Sequence, residues 1–260
     1  MIGQNIKRHH VPNPIMVIIS LVSMLFIWWL LSLVSMKAVF PSPGIVFPEV
    51  KDILVSGEFG EHMLRTTIRI LAGFTCAMLL SFTLGLLMST GKTIEVFLET
   101  YVLVGLTIPA LAWSIISIMW LGLNDLAAIF VIVVLTVPMI TLNIVQGIKN
   151  IDKQLLEMAE VFRASKRVTF RKIVLPQLLP YILSSSRYGL GLAWKTVVIV
   201  EMLGLTDGIG YMIAHWFSLF SMKKVIAWTF LFTVTMLIVE YGVFARIENH
   251  VMKWRPKITL

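Results

Sequence analysis

The sequence predicts an all-α protein that crosses a membrane six times within one domain, residues 1–260. Hydrophobic residues make up 58% of the chain and charged residues 14%, whereas about a quarter of the residues in an average soluble domain are charged. A soluble protein of this composition would expose large apolar patches. The apolar residues are also collected into runs long enough to cross a bilayer as helices. We place these spans at residues 15–36, 68–89, 96–121, 126–146, 181–203 and 225–245.

The first span follows a short basic segment that contains Lys7 and Arg8. A basic segment before an apolar run is also typical of a secretory signal peptide. The run from Ile15 to Met36, however, has the length of a bilayer-spanning helix, and no small-x-small cleavage site follows it. We therefore expect a retained transmembrane helix.

Residues 41–62 differ from the spans in composition. Pro41, Pro43 and Pro48 disfavour a continuous helix there. Several acidic and basic side chains in the same segment require contact with water. We expect a loop that can carry a short helix on the membrane surface.

Glycine, asparagine and proline mark the turns between the later spans. Gly91 closes the second span, and Pro109 lies inside the third. Residues 122–125, Gly-Leu-Asn-Asp, predict a tight turn before the fourth span. A glycine-rich segment at 204–210 and an aromatic stretch at 211–220 separate the fifth span from the sixth. The glycine-rich segment is best explained by turn geometry, because it lacks the lysine of a phosphate-binding loop.

Lysine and arginine residues are distributed unevenly between the two sides of the predicted membrane domain. Such a bias sets the orientation of a membrane protein, because basic loops are retained in the cytoplasm. We expect both termini and the segment 147–179 in the cytoplasm, so the net charge of +8 requires no nucleic-acid partner. In this orientation the cytoplasmic basic residues are Lys7, Arg8, Lys92, Lys149, Lys153, Arg163, Lys166, Arg167, Arg171, Lys172, Arg246, Lys253, Arg255 and Lys257, and the outer ones are Lys37, Lys51, Arg65, Arg69, Lys223 and Lys224.

The polar segment 147–179 contains two short helical patterns. Asp152 fits the N-cap position of the first helix, and Ser165 that of the second. Pro176 and Pro180 predict a break before the fifth span. The apolar face of the first helix needs something to cover it, and the pattern is compatible both with anionic lipid and with a protein partner. That face combines Leu155, Met158, Ala159 and Phe162, at the helical spacing i, i+3, i+4 and i+7.

The same segment resembles the signature loop of ABC importer permeases. That pattern reads Glu-Ala-Ala, three residues, Gly, nine residues and Ile-x-Leu-Pro, and residues 157–176 follow its spacing. Two positions depart from it, because Met158 replaces the first alanine and Arg163 replaces the glycine. The resemblance implies that the first helix docks on a separate ATPase. The residues to which it assigns this coupling are Glu157, Met158, Ala159, Phe162, Arg163, Ala164 and Ser165.

Other strings extend the resemblance over nearly the whole chain and narrow it to the nitrate/sulfonate/taurine-type permeases. The ordered set carries this likeness, since no single string is specific. The strings are Phe40-Pro41-Ser42-Pro43, Arg69-Ile70-Leu71-Ala72-Gly73-Phe74, Gly85, Ile108-Pro109-Ala110-Leu111-Ala112-Trp113, Trp120-Leu121-Gly122-Leu123-Asn124-Asp125, Gly189-Leu190-Gly191-Leu192-Ala193-Trp194, Glu201-Met202-Leu203-Gly204 and Gly208-Ile209-Gly210-Tyr211.

The resemblance implies a type I importer permease of MetI-like architecture in the bacterial cytoplasmic (inner) membrane. It implies a homodimer of this chain, two cytoplasmic ATP-binding subunits and an extracytoplasmic solute-binding protein. The implied function is the passage of a small anionic solute, of the nitrate, sulfonate, taurine or bicarbonate kind, by alternating access. The chain has no Gly-x-x-x-x-Gly-Lys-[Ser/Thr] loop. We therefore expect a transporter subunit that is not itself an enzyme and holds no cofactor, with ATP and Mg²⁺ bound by the partner ATPase.

Charged and aromatic residues within the spans suggest the solute pathway or its gate. Lys195 lies midway along the fifth span, where a lipid-facing charge is costly. It is expected to face the dimer axis, a water-filled path or a partner acid, and an ion pair with Glu240 of the sixth span is an equal alternative. Glu201, near the outer end of the fifth span, fits a gate or the membrane interface. We assign Trp113, Trp194, Lys195 and Glu201 to the pathway or gate.

Two other classes of function compete with the importer. An ion-coupled secondary transporter or channel would need no cytoplasmic docking loop, and its inverted halves would show matching broken helices. The sequence shows no such repeat. A membrane enzyme is disfavoured because the five histidines are scattered and form no spacing that would hold a metal.

Overall fold

The structure is a computed structural model and describes residues 14–36, 39–244 and 246. These residues form eleven α-helices and two π-helical segments, and no strand occurs among them. The prediction of an all-α fold is confirmed. The basic residues Lys7 and Arg8 and the cationic tail that contains Lys253, Arg255 and Lys257 lie outside the described residues.

The first helix, α1 (Pro14–Val34), matches the first predicted span. Most of its side chains are exposed and apolar. Contacts of Trp28, in its C-terminal half, join it to the rest of the protein. Trp28 Nε1 donates to the carbonyl of Pro41 at 3.1 Å, and the Trp28 ring lies 6.4 Å from that of Phe47. An apolar surface of this length is suited to lipid.

The expected loop at 41–62 is largely helical, which corrects the sequence prediction. Helix α2 (Pro43–Ser56) begins with proline in its first turn, where the missing N–H has no partner to lose. Its face of Val46, Val50 and Ile53 is buried, and that burial offsets the interior Pro48.

Helix α3 (Glu58–Met88) begins ten residues before the predicted second span. Gly57, with φ 81°, forms the left-handed joint that separates α2 from α3. Glu58 and Glu61 lie in the first turn of α3. Acidic residues stabilise a helix at that end through its dipole, so they extend the helix and do not interrupt it.

The expected third span, 96–121, is broken into α4 (Lys92–Thr107) and α5 (Ala110–Leu121). The two helices meet at an angle of 97°. Pro109 explains the break, because it has no N–H to donate and it restricts the preceding residue to extended backbone. Ile108 has φ −79° and ψ 126°, as this requires.

Helix α6 (Asp125–Lys149) lies at the centre of the fold, between α3 and α9. Asn124 caps it by accepting from the amides of Leu126 and Ala127 at 2.9 and 3.3 Å. Glycines allow the close approach of α3: a Cβ on Gly73 or Gly85 would come within 2.8 or 2.6 Å of an α6 isoleucine. Small residues at a helix crossing bring backbones together in this way in membrane proteins.

The second half of the chain begins with α7 (Lys153–Val161) and α8 (Lys166–Thr169). A π-helical segment, Phe170–Val174, leads directly into α9 (Leu175–Gly204). The break predicted at Pro176 and Pro180 is therefore absent, and the helix of the expected fifth span begins well before residue 181. The widened turn that precedes Pro176 accommodates a residue without an N–H donor.

Two further helices complete the described chain. Helix α10 (Ile209–Ser218) occupies the predicted aromatic stretch and is bent by 46° from the helix before it. Helix α11 (Met222–Leu237) continues as a second π-helical segment, Ile238–Phe244. By length and composition, four helices of the described residues can cross a membrane, or up to six if each bent pair forms one span.

Candidate functional site

The turn between α7 and α8 is closed by two backbone hydrogen bonds. The amide of Arg163 donates to the carbonyl of Glu160 at 2.9 Å, and the amide of Ala164 donates to that of Ala159 at 2.8 Å. This pair of bonds is the Schellman arrangement, which places the residue after the C-cap in the left-handed region. Arg163 has φ 51°. The turn of the signature loop therefore forms with arginine at the position where glycine is usual, and Ser165 then caps α8 through its hydroxyl.

The junction between α6 and α7 is hydrogen-bonded to α9. The amide of Asp152 donates to Oε1 of Gln177 at 2.9 Å, and Asn150 Nδ2 donates to the hydroxyl of Tyr181 at 3.2 Å. The Tyr181 ring lies directly against Gly147 of α6, where a Cβ would come within 2.7 Å of it. A displacement of α7 would therefore be passed to the adjoining ends of α6 and α9.

The predicted coupling residues divide into covered and exposed groups. Ala159 is only 6% exposed, whereas Met158 and Phe162 are 47% and 78% exposed. Glu157 is exposed as well. Val161, which the sequence pattern did not include, is 80% exposed and lies beside Met158 and Phe162 on the helix. We call Met158, Val161 and Phe162 the docking face, since an apolar surface at a polar end of the molecule is typical of a contact site.

An exposed face of α9 borders a cavity of about 480 Å³. Ser184, Tyr188 and Lys195 lie on that face at i, i+4 and i+11. Opposite them is the π-helical segment after α11, where Glu240 Oε1 lies 3.4 Å from Arg187 Nε. The carboxylate of Glu240 thus pairs with Arg187 and leaves the alternative Lys195 pairing unformed. Among the described residues, no carboxylate lies within ion-pair distance of Lys195.

A buried ionic cluster joins α3, α6, α9 and the turn before α10. Arg69 is only 4% exposed, and its guanidinium donates to Glu201 Oε1 at 2.8 Å and to Asp125 Oδ1 at 2.7 Å. It also donates to the backbone carbonyl of Asp207 at 3.0 Å and to the carboxylate of the same residue. Charges at this depth are stable only when paired and hydrogen-bonded. Arg69, which the sequence placed among the outer loop charges, is thus the centre of a packed network.

The same cluster organises the start of α10. The amides of residues 208, 209 and 210 donate to His62 Nδ1 at 3.1 Å, Thr66 Oγ1 at 2.9 Å and Glu201 Oε2 at 2.9 Å. Thr66 in turn donates to Glu201 at 2.8 Å. The first amides of a helix have no partner within it. Here α3 and α9 supply the partners, and α10 is thereby fixed to both helices.

The four residues assigned to the pathway or gate occupy different environments. Lys195 is exposed beside the cavity. Trp194 is 4% exposed and packs at 5.6 Å from the ring of Phe232, while Glu201 is 1% exposed within the ionic cluster. Trp113 is half-buried, with its ring 6.2 Å from that of Phe130.

Sequence reasoning treated Arg69 and Glu201 separately and so missed the cluster. Opposite charges inside two apolar runs were the available signal, because each requires a partner there. Asp125 and Asp207 gave no comparable signal, since aspartate is common in turns and at helix starts.

Comparisons with known proteins agree with this architecture. Residues 70–247 match the family described as "Binding-protein-dependent transport system inner membrane component". The chain is 30% identical over 218 residues to the putative aliphatic sulfonates transport permease protein SsuC of Bacillus subtilis, covering 84% of this chain and 78% of that protein. It is 22% identical over 246 residues to the taurine transport system permease protein TauC of Escherichia coli, covering 92% and 89%.

A solved structure shares the fold. The structure described as "Crystal structure of an amino acid ABC transporter with histidines" matches with a TM-score of 0.64 at 17% identity, covering 77% of this chain and 97% of that one. The family match extends over more than half of the chain and includes the α7–α8 segment, α9 and the three carboxylates of the ionic cluster, Asp125, Glu201 and Asp207. The chain therefore belongs to the binding-protein-dependent transport system inner membrane components, the permease subunits of ABC importers, and within them it resembles the sulfonate- and taurine-type permeases.

Proposed function

We propose that this permease works as a homodimer with two cytoplasmic ATPase subunits and an extracytoplasmic solute-binding protein. It passes a small anionic solute into the cytoplasm by alternating access. The observation that carries this proposal is the docking face of Met158, Val161 and Phe162, exposed on a helix whose N-cap is hydrogen-bonded to α9. The partner ATPase subunits bind ATP and Mg²⁺.

The docking face meets a groove on the ATPase. Closure of the ATPase pair around ATP moves α7, and the contacts of Gln177 and Tyr181 pass that movement to α9. Ala159 is buried, and its carbonyl keeps α7 close to the following turn by accepting from the amide of Ala164. Exposed Glu157 meets a cationic group of the ATPase. Lipid is the weaker alternative for this surface, because it would not explain why the N-cap of α7 is hydrogen-bonded to α9.

The orientation follows from the basic residues of the α7–α8 segment. Lys166, Arg167, Arg171 and Lys172 are all exposed there, and exposed lysine and arginine favour the cytoplasmic side. The docking face then lies in the cytoplasm and the ionic cluster near the outer surface. Both termini are cytoplasmic, and the protein is a multi-pass component of the bacterial inner membrane.

An anionic solute is supported by two observations. The relatives are named for aliphatic sulfonates and taurine, and Lys195 presents its charge on an exposed face of a membrane helix. A charge facing lipid there would cost at least about 2.5 kcal/mol. A water-filled solute path along the dimer axis removes that cost.

The coupling is tested by Phe162→Asp in the permease–ATPase complex reconstituted with its solute-binding protein. We expect ATP-driven uptake of solute to fall by about tenfold or more, because a charge replaces an apolar side chain at the centre of a contact. ATP hydrolysis should persist without driving uptake, or the ATPase should fail to co-purify. Phe162→Leu is the matched control and should retain uptake.

Equal uptake by Phe162→Asp and wild type would refute the docking proposal. Uptake driven by a proton gradient without any ATPase would instead favour the ion-coupled secondary transporter.

A further inference from the structure

The cavity beside α9 has the size and the charge of a binding site for a small anion. Its volume of about 480 Å³ falls within the range of small-molecule sites, roughly 300–1,000 Å³. It lies between a face of α9 and the π-helical segment that follows α11. Single π-helical turns are frequent at functional sites.

Among the described residues, the lining of the cavity carries one net positive charge. The two cations in that set are Arg187 and Lys195, and the one carboxylate is that of Glu240. Glu240 lies 3.4 Å from Arg187, whose guanidinium also lies 5.7 Å from the ring centre of Tyr241. The Arg187 charge is therefore already compensated, and the charge of Lys195 is the one that faces the cavity without a carboxylate among the described residues.

Lys195 lies far from the end of α9, so its charge needs a partner. Nine residues separate it from the end of α9 at Gly204, which corresponds to about 14 Å along the helix. A lysine at this depth needs water or an anion as its partner. The hydroxyls of Ser184 and Tyr188 line the same cavity and can act as neutral hydrogen-bond donors.

Glycine keeps the centre of the cavity open. Gly191 lies one helical turn from both Arg187 and Lys195, and a Cβ there would meet only Met236 Cε, at 3.9 Å. A larger side chain at this position would fill the space between the two cations.

We propose that this cavity is a subsite for a single small oxyanion, such as a sulfonate, within the membrane domain. Lys195 supplies the compensating charge, and Tyr188, two helical turns away on the same face of α9, supplies a neutral donor. The Arg187–Glu240 pair forms the opposite wall of the cavity. Because that pair is neutral overall, Lys195 alone gives the described lining its net charge of one. This inference deepens the proposed function. It rests on that function because it takes the bound anion to be the transported solute.

The test measures binding of methanesulfonate to the full-length permease in phosphatidylcholine nanodiscs by titration calorimetry. The solute-binding protein is left out so that its affinity does not mask the subsite. We expect saturable binding that weakens about tenfold or more in Lys195→Met, because a hydrogen bond to a charged group is lost, and that persists in Lys195→Arg. Gly191→Leu should also abolish binding, since it fills the cavity.

Two controls separate charge at this site from charge in general. Lys51→Met removes an exposed cation of α2 outside the cavity and should bind methanesulfonate as wild type does. Dimethyl sulfone, the uncharged counterpart of methanesulfonate, should not bind. Equal affinity of Lys195→Met and wild type would overturn the proposal.

Nanodiscs that contain phosphatidylglycerol distinguish a solute site from a lipid site. Unchanged methanesulfonate binding in them supports the solute subsite, whereas loss of binding would show that a lipid phosphate occupies the cavity and would overturn it. These outcomes do not depend on the ATPase. If Lys195→Met retains its affinity for methanesulfonate while ATP-driven uptake is intact, the subsite proposal is refuted and the importer function is not. If no ATPase drives uptake through the permease, the importer function is refuted independently of the subsite.

Discussion

Arg163 shows how a single residue departs from a family pattern without losing its geometry. A side chain with a Cβ in the left-handed region costs about 1–2 kcal/mol relative to the right-handed one, yet the two bonds of the Schellman turn are formed. The anchoring of α7 at Asp152 and the cap at Ser165 hold both sides of the turn. The residue is strained locally, and the surrounding bonds compensate.

Arg163→Gly is expected to relax this turn. Glycine adopts φ near 51° without the Cβ penalty, although it adds freedom to the unfolded chain, so the net gain is about 0.5–1 kcal/mol. Hydrogen exchange of the Ala164 amide, which donates to the Ala159 carbonyl, should slow about two- to fivefold. Arg163→Ala is the control and should exchange as wild type does. Faster exchange in Arg163→Gly would show that the arginine side chain itself stabilises the turn.

Helix α10 is an element whose place depends on two other elements. Its N-terminal amides bind side chains of α3 and α9, and its packing leaves no room at Gly210. A Cβ there would come within 2.3 Å of the Val198 carbonyl oxygen and 2.7 Å of the Glu201 Cβ. Neither a backbone oxygen nor the first side-chain atom can move away easily.

Gly210→Ala should therefore separate α10 from α9. We expect the free energy of unfolding to fall by about 1–3 kcal/mol, as for overpacking in other cores, with a lower midpoint of thermal unfolding. Gly60→Ala is the matched control, because Gly60 lies in α3 with nothing within 4 Å of the added Cβ. The tight α9–α10 contact would be contradicted if Gly210→Ala had the same midpoint of thermal unfolding as wild type while Gly60→Ala had a higher one.

Sequence patterns predicted the elements better than their junctions. Apolar runs located the long apolar helices of the described residues because length and composition are local properties. Asp152 and Ser165 predicted the starts of α7 and α8 correctly, since capping is local too. The sequence allowed a short helix within 41–62 but underestimated its extent, because burial of one face offsets Pro48 and burial is a property of the folded whole.

The candidate sites also divide into one that local sequence indicates and one that depends on the packing of distant helices. The resemblance to the signature loop could be read from residues 157–176, because that loop is continuous in sequence, and the coupling role of this segment stays a prediction. The ionic cluster could not be found in this way, since Thr66, Asp125, Glu201 and Asp207 meet only when α3, α6 and α9 pack together. Exposure of Val161 on the docking face likewise required the structure.

At the scale of the whole molecule, the two ends of the membrane domain have different characters. One end carries the exposed docking face and a further link between helices, in which Glu95 of α4 accepts from Lys149 of α6 at 2.7 Å. The other carries the buried ionic cluster. Helix α9 connects them and presents the Lys195 cavity between them. This arrangement fits a rigid transmission from an ATPase at one end to a solute path in the middle.

The most direct test is site-specific cross-linking from the docking face. The exposed native Cys76 is first replaced by serine, and Phe162→Cys is then introduced into the assembled permease–ATPase complex in membrane vesicles. Because Phe162 is 78% exposed on α7, a maleimide–benzophenone reagent bound to the introduced thiol should, on illumination, insert into a C–H bond of the ATPase subunit and join the two chains. We expect that cross-linked product, and docking of α7 on the ATPase would be contradicted if Phe162→Cys reacted only with reagents supplied from the extracytoplasmic side or joined no second polypeptide.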